Sequence, residues 1–176
     1  TFVQHMENVS FPEALKMLAD RAGITLRRGP GRVSEGPDRA DLAKVNEWAC
    51  AFFREELLKT QAGAAAREYV RRRGILPETE ATFELGFAAG NADVLTERAR
   101  RAGFSSAVLL AADLLRDSES GRVYPAFQDR LMFPIRDVMN RVVGFGGRTL
   151  VDHKAKYLNT RQTELFEKGH GLYALA

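Results

Sequence analysis

The chain has 176 residues, 45% hydrophobic and 28% charged, which suits a globular protein with a real core in one or two domains. No run approaches the roughly 18 apolar residues of a membrane span, and there is no basic-then-apolar leader. The lone Cys50 excludes an internal disulfide and a cysteine-based zinc site within the chain, so the expectation is a cytoplasmic protein with no membrane partner.

Net charge is +3, mostly carried by arginine, and unevenly placed. Residues 122–176 hold nine Lys/Arg against five Asp/Glu, whereas residues 1–121 hold seventeen against eighteen. That excess allows nucleic acid as a partner without requiring it.

In chain order, Phe2, Val3 and Met6 read as the end of a helix, broken by Asn8-Val9-Ser10. Ser10 and Glu13 form a capping box, with Pro12 in the first turn. Phe11, Ala14, Leu15, Leu18 and Ala22 then recur at helical spacing up to Gly23, and Ile24-Thr25-Leu26 is an extended tail. Residues 27–40 hold three Gly, two Pro and four Arg with almost nothing apolar, and read as a linker. Asp41 to Gln61 is a helix whose stripe is Leu42, Val45, Trp48, Ala49, Phe52, Phe53 and Leu57, with Asp38 or Asp41 as cap. Trp48 and Phe52 read as core, and Cys50 as an inert buried thiol.

Residues 63–73 predict a second helix stopped by Gly74, with Tyr69 and Val70 inward and Arg71, Arg72 and Arg73 at its C-terminal end. A short helix over 75–82, a strand over 83–87, and a helix over 91–102 with Val94, Leu95 and Ala99 inward follow. Ser105 caps a further helix whose apolar positions run to Leu115, and Asp117 to Phe127 reads as a loop. The span 63–116 is therefore expected to be a helical subdomain, and it shows no nucleophile–base pair, metal-ligand cluster or phosphate-binding loop motif.

From Tyr124 the texture turns to β. Asp129-Arg130 precede Leu131 to Ile135, which reads as a strand, with Pro134 marking an edge or bulge. Asp137 to Arg141 is a turn, and residues 141–150 return as the hairpin partner. Gly144, Gly146 and Gly147 permit a bulge or a close backbone approach. Lys154, Lys156, Tyr157 and Asn159 then supply point charges, a ring and an amide, and Thr163 to Leu175 reads as helical or turn-like. The fold class is α+β: a helical N-terminal half with a linker, then a basic α/β subdomain with a hairpin-rich C-terminal third.

The strings RLMFPIRD, RVVGFGGRTL, KYLNT and LFEKGHGLYAL, in that order and spacing, resemble bacterial replicative DNA primases of the DnaG type. AREYVRRRGI and NVSFPEALKMLADRAGI extend the resemblance over nearly the whole chain. It implies that residues 1–26 are the tail of a zinc-binding domain, 27–40 a linker, and 41–176 the N-terminal subdomain of the RNA polymerase core. Such primases make short RNA primers on single-stranded DNA from ribonucleoside triphosphates and work beside a replicative helicase. Their Mg²⁺ site lies in a Toprim domain expected after Ala176, and their Zn²⁺ site in a ribbon expected before Thr1. On that resemblance this segment holds no catalytic residue and no metal, is inactive alone, and binds template and RNA–DNA hybrid.

Carried over by motif, the binding residues are Arg73, Arg148, Lys156, Tyr157, Asn159 and Lys168. Their chemistry agrees, because Arg and Lys neutralise phosphates and a tyrosine ring stacks on bases. Each also has an ordinary reading: Arg148 can pair with Asp152 or Asp137, Tyr157 can be core, and Asn159 can cap a turn. The family usually continues KYLN with Ser-Pro-Glu-Thr where this chain has Thr160-Arg161-Gln162-Thr163. Losing the proline is expected to loosen the turn, and the exchange makes it more basic. Two rivals stay open: a non-catalytic binding module of a phage or plasmid replication protein or primase–helicase, and a protein-docking scaffold built on residues 41–116.

Overall fold

The structure, a computed structural model, describes residues 14, 15, 18, 19, 21, 22, 37–151 and 155–167. The chain divides into two compact units, Thr1–Gly36 and Pro37–Ala176. In the first, Ala14, Leu15, Leu18, Ala19 and Arg21 are helical. Ala14 and Ala19 are buried, but Leu15 and Leu18, placed on the apolar stripe by spacing, are exposed. The capping box at Ser10, the helix end before it and the stretch 23–36 lie outside the described residues.

The second unit opens with α1 (Arg39–Lys59), two residues before the expected start. Asp38 is its cap: the side-chain carboxylate accepts from the Asp41 N–H at 2.8 Å. Leu42, Val45, Ala49, Phe52, Phe53 and Leu57 are buried along it, as the stripe required. Trp48 stacks on Phe52 (centroids 5.4 Å apart) and leans on Phe104 at 5.6 Å, so the pair is core. Cys50 is buried too, which pushes its thiol up to about 12 and keeps it from forming a thiolate.

Helices α2 (Ala64–Arg72) and α3 (Pro77–Thr82) follow, the latter with proline in its first turn. The strand expected over 83–87 starts later, as β1 (Gly86–Ala88). Phe83 closes α3 and Glu84 takes a left-handed φ of 48°, which a continuous strand does not allow. Asn91 caps α4 (Ala92–Arg101), accepting from the Asp93 and Val94 N–H groups. Leu95 and Ala99 are buried there, whereas Val94 faces out, contrary to the spacing argument.

Helix α5 (Ser106–Ala111) is capped by Ser105 and stops short of Leu115. Asp113 sits at φ 55°, which turns Leu114 and Leu115 out of the helix while leaving both buried. Leu115 instead opens β2 (Leu115–Asp117), paired antiparallel with β3 (Val123–Pro125), so the expected loop is a small hairpin. The span 63–116 is thus not purely helical, since short strands carry too little periodic pattern to register by spacing.

The main sheet is fully antiparallel, with order β1-β4-β5-β6, built from β1, β4 (Arg130–Arg136), β5 (Val142–Thr149) and β6 (Tyr157–Asn159). The β4–β5 hairpin is as predicted. Asp137 accepts from the Met139 and Arg141 N–H groups across its turn, and Asn140 takes φ 59°. Pro134 lies beyond the reach of β1, and the register slips one residue later, so both the edge and the bulge are present. Strand β6 was not foreseen as a strand. Thr163 to Glu167 is a turn held by the Thr163 hydroxyl, without helix, and residues after 167 lie outside the described set.

One face of the sheet packs on α1. Phe53 meets Phe145 edge-on at 5.4 Å, and Met132, Phe127 and Val142 join the same cluster. The other face carries a smaller cluster in which Phe87, Leu131, Leu85, Ala66 and Val70 meet beneath α2. Gly86 lies where β1 crosses α1, and a Cβ there would sit 2.6 Å from Phe53 Cβ and 2.8 Å from its carbonyl carbon. Gly86→Ala is therefore expected to destabilise by about 1–3 kcal/mol through overpacking. A urea midpoint matching that of the unaltered chain would show that β1 does not press on α1.

Candidate nucleic-acid interface

Three of the predicted binding residues, Arg148, Tyr157 and Asn159, lie on the sheet face that α2 only partly covers. Register places Arg148 opposite Tyr157 and Gly146 opposite Asn159 on β5 and β6. Since side chains alternate along a strand, Arg148, Tyr157 and Asn159 share one face. Gly146 leaves bare backbone beside the amide: a Cβ there would stand 3.3 Å from Asn159 Oδ1. Gly147 points to the opposite face, where a Cβ would meet Phe127 at 2.9 Å and Arg130 at 3.0 Å. Both glycines thus make room for this chain's own side chains.

Tyr157 is 66% exposed, which removes the core reading. The Arg148 guanidinium lies 5.6 Å from the Tyr157 ring centroid and 5.2 Å from that of Tyr69 on α2. Arg73 reaches the same Tyr69 ring at 5.2 Å and donates from Nε to its hydroxyl at 3.0 Å. Arg73, Arg148 and Tyr157 are therefore brought together, with Tyr69 at the centre. Spacing had placed Tyr69 inward; it is half-buried, and its position four residues before Arg73 on a helix was the signal that it would meet a cation. Lys156 is exposed at the start of β6. Lys168 lies outside the described residues.

Among the described residues no carboxylate pairs with Arg73, Arg148 or Lys156. The rival partner Asp137 is taken by Arg141 at 2.6 Å, and Asp152 lies outside the described set. Several cations elsewhere are matched, Arg71 with Glu68, Arg98 with Glu55, Arg100 and Arg101 with Glu97, and Arg136 with Glu47 and Glu84, while among the described residues Lys59, Arg72, Arg122 and Arg161 also have no carboxylate partner. Unpaired cations beside exposed rings suit a polyanion with flat bases.

Strand β6 is held from the core at both ends, by residues the sequence did not single out. At its start the Arg130 guanidinium, 4% exposed, donates to the carbonyls of Gly147 (3.2 Å), Ala155 (3.0 Å) and Lys156 (3.4 Å). Burial, and then the nearby Arg116 charge, pull this guanidinium down from its ordinary value. At the far end Thr160, 1% exposed, accepts the Phe145 N–H on its hydroxyl at 2.8 Å. Next to it the Arg161 N–H donates to Asp113 at 2.6 Å, and Asp113 forms a two-pronged pair with Arg116 at 2.8 Å. Where the family usually has proline, a bond to Asp113 ties this stretch to the core. Arg161 supplies an N–H that proline lacks and uses it on a buried carboxylate.

A family model described as the DNA primase catalytic core, N-terminal domain, matches residues 52–176. A DNA primase from Deinococcus radiodurans is 49% identical over 99% of the chain, and the chain spans 29% of that relative's length. A DnaG primase catalytic domain solved with single-stranded DNA is 37% identical, with a TM-score of 0.71 over 78% of this chain and 44% of that one. The Aquifex aeolicus primase structure of the zinc-binding and RNA polymerase domains is 32% identical, with a TM-score of 0.68 over 98% of this chain and 40% of that one. These chains share the α+β fold described above.

Proposed function

The chain belongs to the family of the DNA primase catalytic core, N-terminal domain, and from that premise we propose that it serves within a primase as the track for single-stranded template and the RNA–DNA hybrid. The observation that carries this reading is the Arg148 guanidinium set between the Tyr69 and Tyr157 rings, with no carboxylate partner among the described residues. Arg73, Arg148 and Lys156 neutralise backbone phosphates without reading sequence, Tyr157 offers a stacking face, and Asn159 a two-way hydrogen-bonding amide. Lys168 belongs to the same set by its motif.

The whole protein, in this reading, polymerises ribonucleoside triphosphates into primers for replication and works with a replicative helicase. Among the described residues no three His, Cys, Asp or Glu side chains gather to hold a metal, so no step assigned to this chain runs through one. Mg²⁺ and Zn²⁺ are assigned to other parts of a full primase, and this chain alone is expected to hold nucleic acid without extending it. The similarity to primases over nearly the full chain makes a phage or plasmid binding module the weaker reading. The docking-scaffold reading lacks the support that Arg73, Arg148 and Lys156, without carboxylate partners among the described residues, give to nucleic acid.

Anisotropy of a dye-labelled single-stranded oligodeoxynucleotide, titrated across salt, tests the reading. Arg148→Ala and Lys156→Ala are each expected to weaken binding roughly tenfold and to flatten the log–log salt slope by about 0.7, the share of one phosphate on a single strand. Wild-type affinity and slope in both variants would refute it.

A further inference from the structure

We propose that Tyr69 is a positioning residue that makes Arg73, at the C-terminal cap of α2, and Arg148 of β5 act as one clamp on the nucleic-acid backbone. The inference rests on the functional reading above and goes beyond it, because Tyr69 has no charge to offer a phosphate. Both guanidinium centres lie 5.2 Å from its ring centroid. One comes from a helix and the other from a strand, and among the described residues neither has a carboxylate to hold it there. Two like charges so placed repel, and the negative face of a shared ring offsets that repulsion.

The ring is itself fixed, packed against the cluster of Ala66, Val70, Leu85, Phe87 and Leu131. It is a rigid post for two long, flexible side chains. An arginine that is already ordered loses less rotamer freedom on meeting a phosphate, which raises affinity without a new contact. The two attachments differ. Arg73 has both the ring and a hydrogen bond to the phenol oxygen, whereas Arg148 has the ring and, on its other side, Tyr157. Tyr69→Phe keeps the platform for both and frees only the Arg73 bond; Tyr69→Leu keeps apolar packing and removes the platform.

The test is single-stranded oligodeoxynucleotide binding by the 176-residue chain. Tyr69→Leu is expected to lose about tenfold in affinity with net charge unchanged, while Tyr69→Phe stays within about threefold, the size of one exposed hydrogen bond. A cycle of Arg73→Ala and Arg148→Ala is expected to be non-additive by more than fivefold, because losing either cation dismantles the clamp. This cycle needs no change at Tyr69, so it decides the matter even where Tyr69→Leu fails to fold. Additivity within about twofold, or wild-type binding by a folded Tyr69→Leu chain, overturns the inference. Binding that ignores the arginine substitutions as well overturns the functional reading itself.

Discussion

Replacing Asp113 with alanine is expected to cost about 3–5 kcal/mol of folding stability, because it leaves the Arg116 guanidinium buried without its counter-charge. The two side chains are 6% and 8% exposed and joined by two 2.8 Å bonds, so water cannot readily stand in for the lost carboxylate. The same change strips the Arg161 N–H of its acceptor and frees the C-terminal end of β6. Loss of template affinity should therefore accompany loss of stability. Asp113→Leu combined with Arg116→Met separates the two effects. An apolar pair of similar volume should restore much of the stability, since replacing a buried ion pair is often neutral, but not the tether at Arg161. Urea unfolding gives the first quantity and oligonucleotide binding the second. A single Asp113→Ala variant within about 1 kcal/mol of the unaltered chain would show that the pair is not the anchor described here.

Arg130→Ala is the second large effect, at about 2–4 kcal/mol. It combines a cavity beneath the sheet with carbonyls that lose a charged donor. The carbonyls affected, those of Gly147, Ala155 and Lys156, sit at the junction of β5 with the segment that presents Lys156 and Tyr157. Lys156 retains the Thr149 N–H at 3.0 Å, so the pairing should weaken rather than vanish. The expected result is a lower urea midpoint, with binding reduced several-fold by a residue that never meets the ligand. An unchanged affinity in a folded Arg130→Ala chain would mean that Lys156 and Tyr157 hold their places without it.

Much of this architecture could be read from spacing, and the failures share a cause. The stripe of α1 and the β4–β5 hairpin were legible because long periodic runs and turn residues fix them locally. Strands β1, β2 and β6 are three residues each and owe their existence to partners far along the chain, which no local pattern reports. Val94 and Leu15 went astray for a related reason, since helical spacing names a face but not its edges. At the site, the residues that touch solvent were accessible through motif chemistry, and their supports were not. Asp113 and Arg116 read as part of a helical stretch, and Arg130 as a residue preceding a strand. Their roles follow from burial and a left-handed φ that only the folded chain shows. Tyr69 was the partial exception, assigned inward although its spacing to Arg73 already matched a helical side-chain pair.

The central claim is that the β5–β6 face and the end of α2 carry the nucleic acid. Photocrosslinking tests it most directly, using a single-stranded oligodeoxynucleotide with photoreactive pyrimidines bound to the chain, followed by mapping of the linked peptide. Tyr157 has an exposed ring beside the Arg148 guanidinium, so the cross-link is predicted on the peptide that contains it, and Arg148→Ala should diminish the yield. Cross-links that fall instead on the α4–α5 side, around Phe104, and persist in Arg148→Ala would contradict the account.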